Sequence, residues 1–369
     1  MVAGAGGAAL ATRLASVAFA RARGVPGILI AAVAVSGAFS AGPASGRTSA
    51  LAPSQRHELL ERFMPVLYFD ADELWGPVAV ERFLRVARVE RQITRGTWTR
   101  ATSPLPTSTV GCALTPCYRL NLPCALNAGA KCYARAAPTL SDWKHATIYG
   151  RVLDVPTGTP GPAGITGTAR YLVRYWFFFS VDDWRSTGDR LWQAHEGDWE
   201  SVSVALDDNL DPIFAAYSQH CSGAVRAWAK VKRVQTHPVD YVALGSHANY
   251  FAQTSSPTQF LRCVYKNVAT AERSRARRLV TAVQRGVTDR TGTARKLDPA
   301  AKEQPTLQLV ELNGALPSWA RFPGRWSEGE LLWVGGSPTR LTRARSGLAP
   351  ATPKWNATSI PALWHTESS

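Results

Sequence analysis

The chain has 369 residues, of which 45% are hydrophobic and 19% are charged, with 29 glycines and 24 prolines. This ordinary globular composition argues against a mainly disordered chain, a collagen-like repeat and a polytopic membrane protein. The formal net charge of +15 favours anionic partners such as lipid headgroups, acidic glycans or nucleic acid. A solvated arginine-rich surface without such a partner is the alternative interpretation.

Residues 1–50 have the pattern of a secretory signal. Three arginines precede an apolar stretch at 27–35, and small residues follow it. We therefore predict a secreted or cell-surface protein. An uncleaved membrane anchor is the alternative, because the apolar stretch could just span a bilayer if its flanking residues are counted generously. The candidate cleavage sites follow Ala38, Ser40 and Ala44.

The remainder, 51–369, is predicted to be a single extended domain rich in strands. A short helix over 53–62, capped by Ser54, precedes a strand at 65–69. Turns rather than helices separate the later strand-like runs, so we expect an all-β fold, mainly an antiparallel β-sandwich with a few short helices. These runs lie at 149–155, 171–179, 200–206, 213–217, 239–244 and 307–312.

One later helix is predicted at about 271–286, where apolar residues follow helical spacing. Its other face carries several arginines. We weigh two interpretations of that face, which are a solvated basic surface and a surface that lies on anionic lipid.

All six cysteines follow the signal segment, and an even number in an exported chain predicts disulfide bonds. Four of them lie in a surface insertion at about 101–140, which has few hydrophobic repeats and needs covalent support. Zinc binding is the alternative, although the sequence has no Cys-x-x-Cys pair. Cys221 and Cys263 are left to pair with each other. The four in the insertion, whose connectivity stays open, are Cys112, Cys117, Cys124 and Cys132.

The segment 195–200 carries the side chains best suited to chemistry. Alternate residues of a strand share a face, so Asp198 and Glu200 lie on one side, about 7 Å apart. Buried carboxylates need a cationic partner. With His195 they predict a divalent-cation site, with Ca or Mg favoured and Mn or Zn as alternatives. The metal-free alternative is an ion pair, for instance between Glu200 and Arg174.

Three further residues are candidates for ligand binding. His247 follows a predicted strand, at a position where loops often carry function. Trp199 offers an aromatic platform for a sugar or a headgroup, with core packing as the alternative. His220, with Ser218 and Asp240, has the residue types of a nucleophile triad, but the sequence lacks a Gly-x-Ser-x-Gly elbow.

Several short segments, separated along the chain, occur in an order that is typical of one protein family. Together they resemble the vacuolar protein sorting-associated protein 62 family over about residues 58–355. The cysteine-rich insertion, the arginine-rich helix and the N-terminal segment lie outside that pattern, and the resemblance implies no settled chemistry. The segments are 63–70, 175–179, 195–200, 218–220, 237–247, 322–326 and 337–338.

The same 195–200 segment is similar to the Gly-His-Arg-His-Asp-Trp-Glu motif of necrosis- and ethylene-inducing peptide-like proteins. That resemblance implies a β-sandwich in which His195, Asp198 and Glu200 hold a divalent cation used in sphingolipid-headgroup binding. Gly197 stands where the motif has its second histidine. A further upstream aspartate ligand has three candidates, which are Asp182, Asp183 and Asp189.

We therefore expect an exported protein that binds an anionic lipid or glycan through a divalent-cation site, with peripheral contact to a membrane. A metal-dependent hydrolase of phosphoesters is the alternative, with Glu196 or His247 moving the proton. Of these two interpretations, we favour a binding protein over an enzyme. A structural site without metal is the third interpretation. Nucleic acid is not expected as a partner of an exported chain.

Overall fold

The computed structural model describes residues 50–101, 104–124, 130–185, 191–220, 222–253, 289–301, 306–329, 331–334, 351–359 and 365–366. The predicted signal at 1–49, the helix at about 271–286, Asp189 and both members of the predicted Cys221–Cys263 pair lie outside these residues. Contacts divide the chain into Met1–Ala50 and Leu51–Ser369.

Within the described residues the secondary structure is dominated by strands. The helices are α1 (Pro53–Phe63), α2 (Val80–Val86) and α3 (Ala130–Leu140), and short 3-10 turns occur at Trp228–Lys230 and Ser318–Arg321. The strands are β1 (Val66–Phe69), β2 (Arg88–Thr94), β3 (Thr97–Arg100), β4 (Tyr118–Asn121), β5 (His145–Pro160), β6 (Thr168–Arg185), β7 (Leu191–Leu206), β8 (Pro212–Gln219), β9 (Ser222–Ala227), β10 (Arg233–Val234), β11 (His237–Val242), β12 (Asn249–Tyr250), β13 (Arg295–Leu297), β14 (Thr306–Glu311), β15 (Leu331–Val334) and β16 (His365–Thr366).

The strands form two large sheets and one small one. The larger sheet has the order β14-β5-β6-β7-β8-β9-β16, with β15 paired to β7, and the second has the order β10-β11-β1-β13, with β12 paired to β11. Most neighbours are antiparallel, while β1–β11, β5–β14 and β9–β16 run parallel. The predicted all-β, mainly antiparallel sandwich is confirmed, and the three parallel pairs are an addition that turn spacing did not indicate.

Strand β6 lies inside the larger sheet, between β5 and β7, and is buried on both faces, which explains its continuous apolar sequence. One face meets the second sheet, where Phe179 contacts Phe69 edge to face. On the other face Phe178 contacts the rings of Trp199 and Trp326. The candidate metal ligands described below lie at the end of this strand and on its partner β7.

Helix α1 confirms the predicted helix, but the predicted cap is wrong. The N-cap is Ala52, whose backbone N–H donates to Gln55 Oε1 at 2.8 Å, and Pro53 begins the helix. Proline suits this position because the first helical N–H has no partner within the helix. Ser54 therefore lies inside the first turn.

The cysteine-rich insertion is closed by two disulfides, as its composition indicates. Cys112 pairs with Cys117, and Cys124 pairs with Cys132, which settles the connectivity that the sequence left open. The insertion also contains regular structure, because β4 and α3 lie within it. Strand β4 pairs with β2, which makes the third sheet, of order β3-β2-β4.

No helix among the described residues combines the length and the apolar character needed to cross a membrane.

Candidate metal centre

The β6–β7 hairpin brings three potential metal ligands together. Asp182 on β6 lies opposite His195 on β7, and Phe179 lies opposite Asp198. In an uninterrupted strand His195 and Asp198 would point to opposite faces, because they are three residues apart. Gly197 between them has a φ of +62°, which reverses the alternation, so both side chains meet on one face.

Glycine is required at position 197 for space as well as for backbone angle. A Cβ there would lie 2.5 Å from Trp326 Cβ and 2.8 Å from the Trp326 carbonyl oxygen. The left-handed φ also favours glycine over any residue with a side chain. The glycine at the motif's second histidine position is therefore the residue that brings His195 and Asp198 together.

The candidate ligand atoms have the spacing of a coordination shell. One atom from each of Asp182, His195 and Asp198 lies within 4.8 Å of the others, and all three residues are buried. His195 Nε2 is 3.3 Å from Asp182 Oδ2 and 4.0 Å from Asp198 Oδ1. Atoms bound to one cation at about 2.0–2.6 Å lie about 3–4 Å from each other. The three atoms therefore match one side of a divalent-cation site.

The ring of His195 is oriented as a ligand. Its Nδ1 lies 3.4 Å from the Glu196 carbonyl oxygen. Because a carbonyl oxygen only accepts, a hydrogen bond here requires Nδ1–H and leaves Nε2 of the neutral ring with its lone pair. Burial lowers the pKa of His195, which favours the neutral ring. A neutral Nε2 that faces two carboxylate oxygens is repulsive unless a cation lies between them. A backbone acceptor for the second ring nitrogen is also the usual support of a metal-binding histidine.

His247 lies on the other side of Asp198 and supplies positive charge. Its Nδ1 is 2.9 Å from Asp198 Oδ2, and its Nε2 is 3.6 Å from Glu73 Oε1. The ring stacks on Phe179 at 3.8 Å. Burial alone would lower the pKa of His247, but the carboxylates of Glu73 and Asp198 outweigh it and raise the pKa to about 9. These contacts favour an imidazolium beside Asp198.

The turn after β11 positions His247, and two residues of this turn have a left-handed backbone conformation. Gly245 has a φ of +77° and His247 a φ of +53°. A Cβ on Gly245 would lie 2.6 Å from the Asp183 carbonyl oxygen. Gly245 N–H donates to Glu73 Oε2 at 2.7 Å, and Trp75 N–H donates to Glu73 Oε1 at 2.8 Å. Glu73 therefore fixes both the turn and the imidazole, a role that the sequence analysis missed.

Glu200, the third ligand expected from the sequence, lies outside the three-residue cluster. It accepts hydrogen bonds from the Ser218 hydroxyl and from Asn249 Nδ2, the latter at 3.4 Å. Burial, and then the charge of Asp198, raise the pKa of Glu200 well above its usual range. The structure thus places Asp182 beside His195 and Asp198, and gives Glu200 neutral hydrogen-bond partners.

Arg174, the suggested ion-pair partner of Glu200, does not meet it. Its Nε donates to Ser203 Oγ at 2.8 Å, and its Nη1 donates to the Ala357 carbonyl oxygen at 2.8 Å. Arg174 lies opposite Ser203 in the strand register, whereas Glu200 lies opposite Phe177. The two side chains therefore belong to opposite faces of the hairpin.

A second cluster of buried polar side chains surrounds Asp289. His220 Nε2 lies 2.9 Å from Asp289 Oδ2, which also accepts from the Tyr250 hydroxyl, and Ser246 Oγ donates to Asp289 Oδ1 at 3.0 Å. Burial alone would raise the pKa of Asp289, but His220 and the two hydroxyl donors outweigh it and lower the pKa.

The structure does not assemble the triad of residue types noted at 218, 220 and 240. Ser218 donates to Glu200, and His220 contacts Asp289. Asp240 Oδ1 accepts from the Tyr250 N–H at 3.2 Å. These contacts give no support to a nucleophilic serine.

Trp199, a candidate platform for a ligand, packs among aromatic rings. Its ring lies 4.7 Å from that of Phe178, 5.3 Å from Trp355 and 5.5 Å from Trp326. This position agrees with core packing, one of the two interpretations of Trp199, and not with a platform for a ligand.

Glu196 points away from the candidate ligands. Its Oε2 accepts from the Leu122 N–H at 2.9 Å, and its Oε1 accepts from the Tyr133 hydroxyl at 3.3 Å. Its own N–H donates to Ser327 Oγ at 3.1 Å. Burial raises the pKa of Glu196 to about 8. Glu196 therefore joins β7 to the insertion instead of facing the candidate metal.

No protein-family model matches this chain, and no curated protein matches it. Among solved structures, the chain is similar to one described as "Toxin fold for microbial attack and plant defense", with 18% identity and a TM-score of 0.23. The match covers 47% of this chain and 54% of that chain, so it spans about half the length of the solved protein. A likeness this low carries no argument about fold or function, and the sequence resemblances stay predictions.

Proposed function

We propose that the protein binds one divalent cation through Asp182, His195 and Asp198 and uses that ion to recognise an anionic lipid headgroup or acidic glycan. The spacing of the three ligand atoms is the observation that carries the proposal. Calcium or magnesium is favoured because two of the three ligands are carboxylates, and the single imidazole keeps manganese and zinc as alternatives.

Access to the proposed ion comes from the side of His195 and Asp198. Each of these side chains is 9% exposed, against 3% for Asp182. A cation held by three protein atoms keeps further coordination positions for a phosphate or carboxylate oxygen. The formal charge of +15 would steer such a ligand to the protein.

Binding has more support than hydrolysis. A hydrolase needs a side chain that moves a proton beside the metal. Glu196 faces Leu122 and Tyr133 on the opposite face, and His247 is held between Asp198 and Glu73. Both candidates for that task are already committed to other contacts.

We also propose that the protein works outside the cytoplasm, at a cell surface or in secreted form. The two disulfides of the insertion support this, because such bonds persist in oxidising compartments.

Elemental analysis of the full chain tests the proposal. The wild type, freed of metal and then dialysed against Ca, Mg, Mn or Zn, should retain about one ion per chain. Asp182→Asn and Asp198→Asn should each lose it, because each removes a charged ligand. Glu200→Gln is the matched control and should keep the ion, since Glu200 contacts Ser218 and Asn249.

A wild type that folds but retains none of the four ions would overturn the proposal. Loss of the ion in Glu200→Gln, with retention in Asp182→Asn, would instead support the ligand set expected from the sequence. Circular dichroism on each variant separates loss of metal from loss of fold.

A further inference from the structure

The β2–β3 hairpin, together with the loop 104–117 that precedes β4, presents an exposed surface outside the candidate metal centre. Between Arg91 and Arg100, every residue except Gln92 and Trp98 is exposed. Gly96, with a φ of +86°, makes the turn that joins the two strands. We refer to this hairpin and loop as the tip.

The tip is strongly basic. The only acidic residue between positions 88 and 100 is Glu90, and Arg119 from β4 donates to it at 2.6 Å, so its charge is matched. The arginines of the hairpin therefore stand as excess positive charge on an exposed surface. They are Arg88, Arg91, Arg95 and Arg100, all exposed.

The tip also exposes two large aliphatic side chains. Ile93 is 57% exposed and Val110 is 89% exposed, which makes them the two most exposed large hydrophobic residues of the part of the chain that the structure describes. Arg91 Nη2 donates to the Gly111 carbonyl oxygen at 2.8 Å, which ties the loop of Val110 to the strand of Ile93. Aliphatic and cationic side chains thus share one surface.

The loop that carries Val110 is braced. Val110 N–H donates to Ser108 Oγ at 3.1 Å, and Cys112 N–H donates to the Thr109 carbonyl oxygen at 3.0 Å. The Cys112–Cys117 disulfide closes the loop immediately after the turn. The exposure of Val110 is therefore built into the loop by covalent and hydrogen-bonded constraints.

We infer that the tip docks on membranes rich in anionic phospholipid, with Ile93 and Val110 entering the headgroup region and the arginines contacting phosphate. Apolar side chains gain free energy when they leave water at a membrane interface, and arginines near an anionic surface add electrostatic attraction. An acidic glycan would satisfy the arginines but would offer no apolar phase to Ile93 and Val110. The combination favours a membrane.

This inference extends the proposed function by naming a membrane, yet it rests on residues outside the metal centre. The tip and the centre are joined through β4, since Leu122 directly after that strand donates to Glu196 between His195 and Asp198. The two proposals can therefore fail separately, because one depends on a cation and the other on the tip.

Flotation with vesicles tests the inference. The full chain would be mixed with vesicles of phosphatidylcholine alone or with 30 mol% phosphatidylserine (about the fraction needed for a strongly anionic surface). The readout is the ratio of binding to the two vesicle types, and each variant is compared with the wild type because the N-terminal segment is common to both. EDTA is present throughout, so that no cation site contributes.

The variants separate the two components of the tip. Arg95→Gln with Arg100→Gln should lower binding to anionic vesicles by about 25-fold, since each arginine contributes about fivefold. Ile93→Ser with Val110→Ser should also reduce binding to anionic vesicles. The matched controls are Val310→Ser, at a residue 39% exposed on β14, and Arg62→Gln, at an exposed residue of α1. Both controls should bind as the wild type does.

Binding in EDTA that falls in the tip variants and not in the controls supports the inference. Three results would overturn it: anionic vesicles bound no better than neutral ones, tip variants that bind like the wild type, or binding that appears only when a cation replaces EDTA. Retention on a sulfated-glycan column that the tip arginines control, without vesicle binding, would also overturn it and point to a glycan. Thermal unfolding of every variant checks that the fold is intact.

Discussion

The candidate metal centre depends on the backbone of a single residue, Gly197. Its left-handed φ lets His195 and Asp198 share a face, and its lack of a side chain makes room for Trp326. That His195 and Asp198 belong to one site was predictable from the sequence, partly through a resemblance. The change in alternation was not, because an isolated glycine in a strand does not reveal its φ. The same change brings Asp182, which lies opposite His195, to the face of Asp198.

Gly197→Ala should therefore be strongly destabilising. The clash with Trp326 adds to the cost of a left-handed alanine, and we expect a loss of about 3 kcal/mol in the free energy of unfolding. Gly158→Ala is the control, because Gly158 also has a positive φ, of +79°, but nothing lies within 4 Å of its added Cβ. Urea unfolding should show a loss of only about 1 kcal/mol there. Equal losses in the two variants would contradict the packing role of Gly197.

Asp289 should control part of the acid sensitivity of the protein. Its pKa is lowered in the folded state by His220 and two hydroxyl donors, despite burial. Its ionised form therefore stabilises the fold above the unfolded pKa of about 3.9, and this contribution is lost as the pH falls through the lower folded pKa. Urea unfolding between about pH 2 and pH 5 should show a weaker pH dependence in Asp289→Asn than in the wild type. Parallel curves would contradict the assignment.

At the scale of elements, the β6–β7 hairpin and the insertion are joined by hydrogen bonds to Glu196. The strand runs were predictable from the sequence because turns punctuate them, and the disulfides were predictable from cysteine number and context. Contacts between distant segments were not. Glu73 reaches the turn at Gly245, and Leu122 reaches Glu196, only because the sheets bring them together. Nothing in the local pattern around these residues indicates such partners.

The Cys124–Cys132 disulfide should support the metal centre through these hydrogen bonds to Glu196. It closes the segment between Leu122 and Tyr133, which both donate to Glu196 on the ligand strand. Replacing both cysteines by serine should lower the free energy of unfolding by about 2–3 kcal/mol and weaken cation retention.

Cys112→Ser with Cys117→Ser is the matched control for that prediction. This variant opens a loop of similar length, since the cysteines are 5 residues apart in one disulfide and 8 in the other. The opened loop does not border Leu122 or Tyr133, the donors to Glu196. We expect similar destabilisation in urea and unchanged cation retention. Weaker retention in both pairs, or in neither, would show that the disulfides do not act through Glu196.

At the scale of the whole molecule, a β-sandwich carries a buried carboxylate and histidine cluster at one hairpin and a basic, partly apolar tip on its insertion. The net charge of +15 predicted an anionic partner, but only the fold shows where exposed arginines and aliphatic side chains coincide. Composition counts every arginine alike. It does not reveal that Arg119 is paired with Glu90, whereas the arginines at 88–100 are exposed. The chemistry of the partner stays a prediction from the sequence, while the position that we propose for its contact surface required the structure.

Anomalous diffraction from crystals grown with manganese would locate the proposed ion. We expect one strong anomalous peak within about 2.5 Å of Asp182 Oδ2, His195 Nε2 and an Asp198 carboxylate oxygen, absent from crystals of Asp198→Asn. A well-diffracting wild-type crystal without a peak there, or with the peak against Glu200, would contradict the proposal.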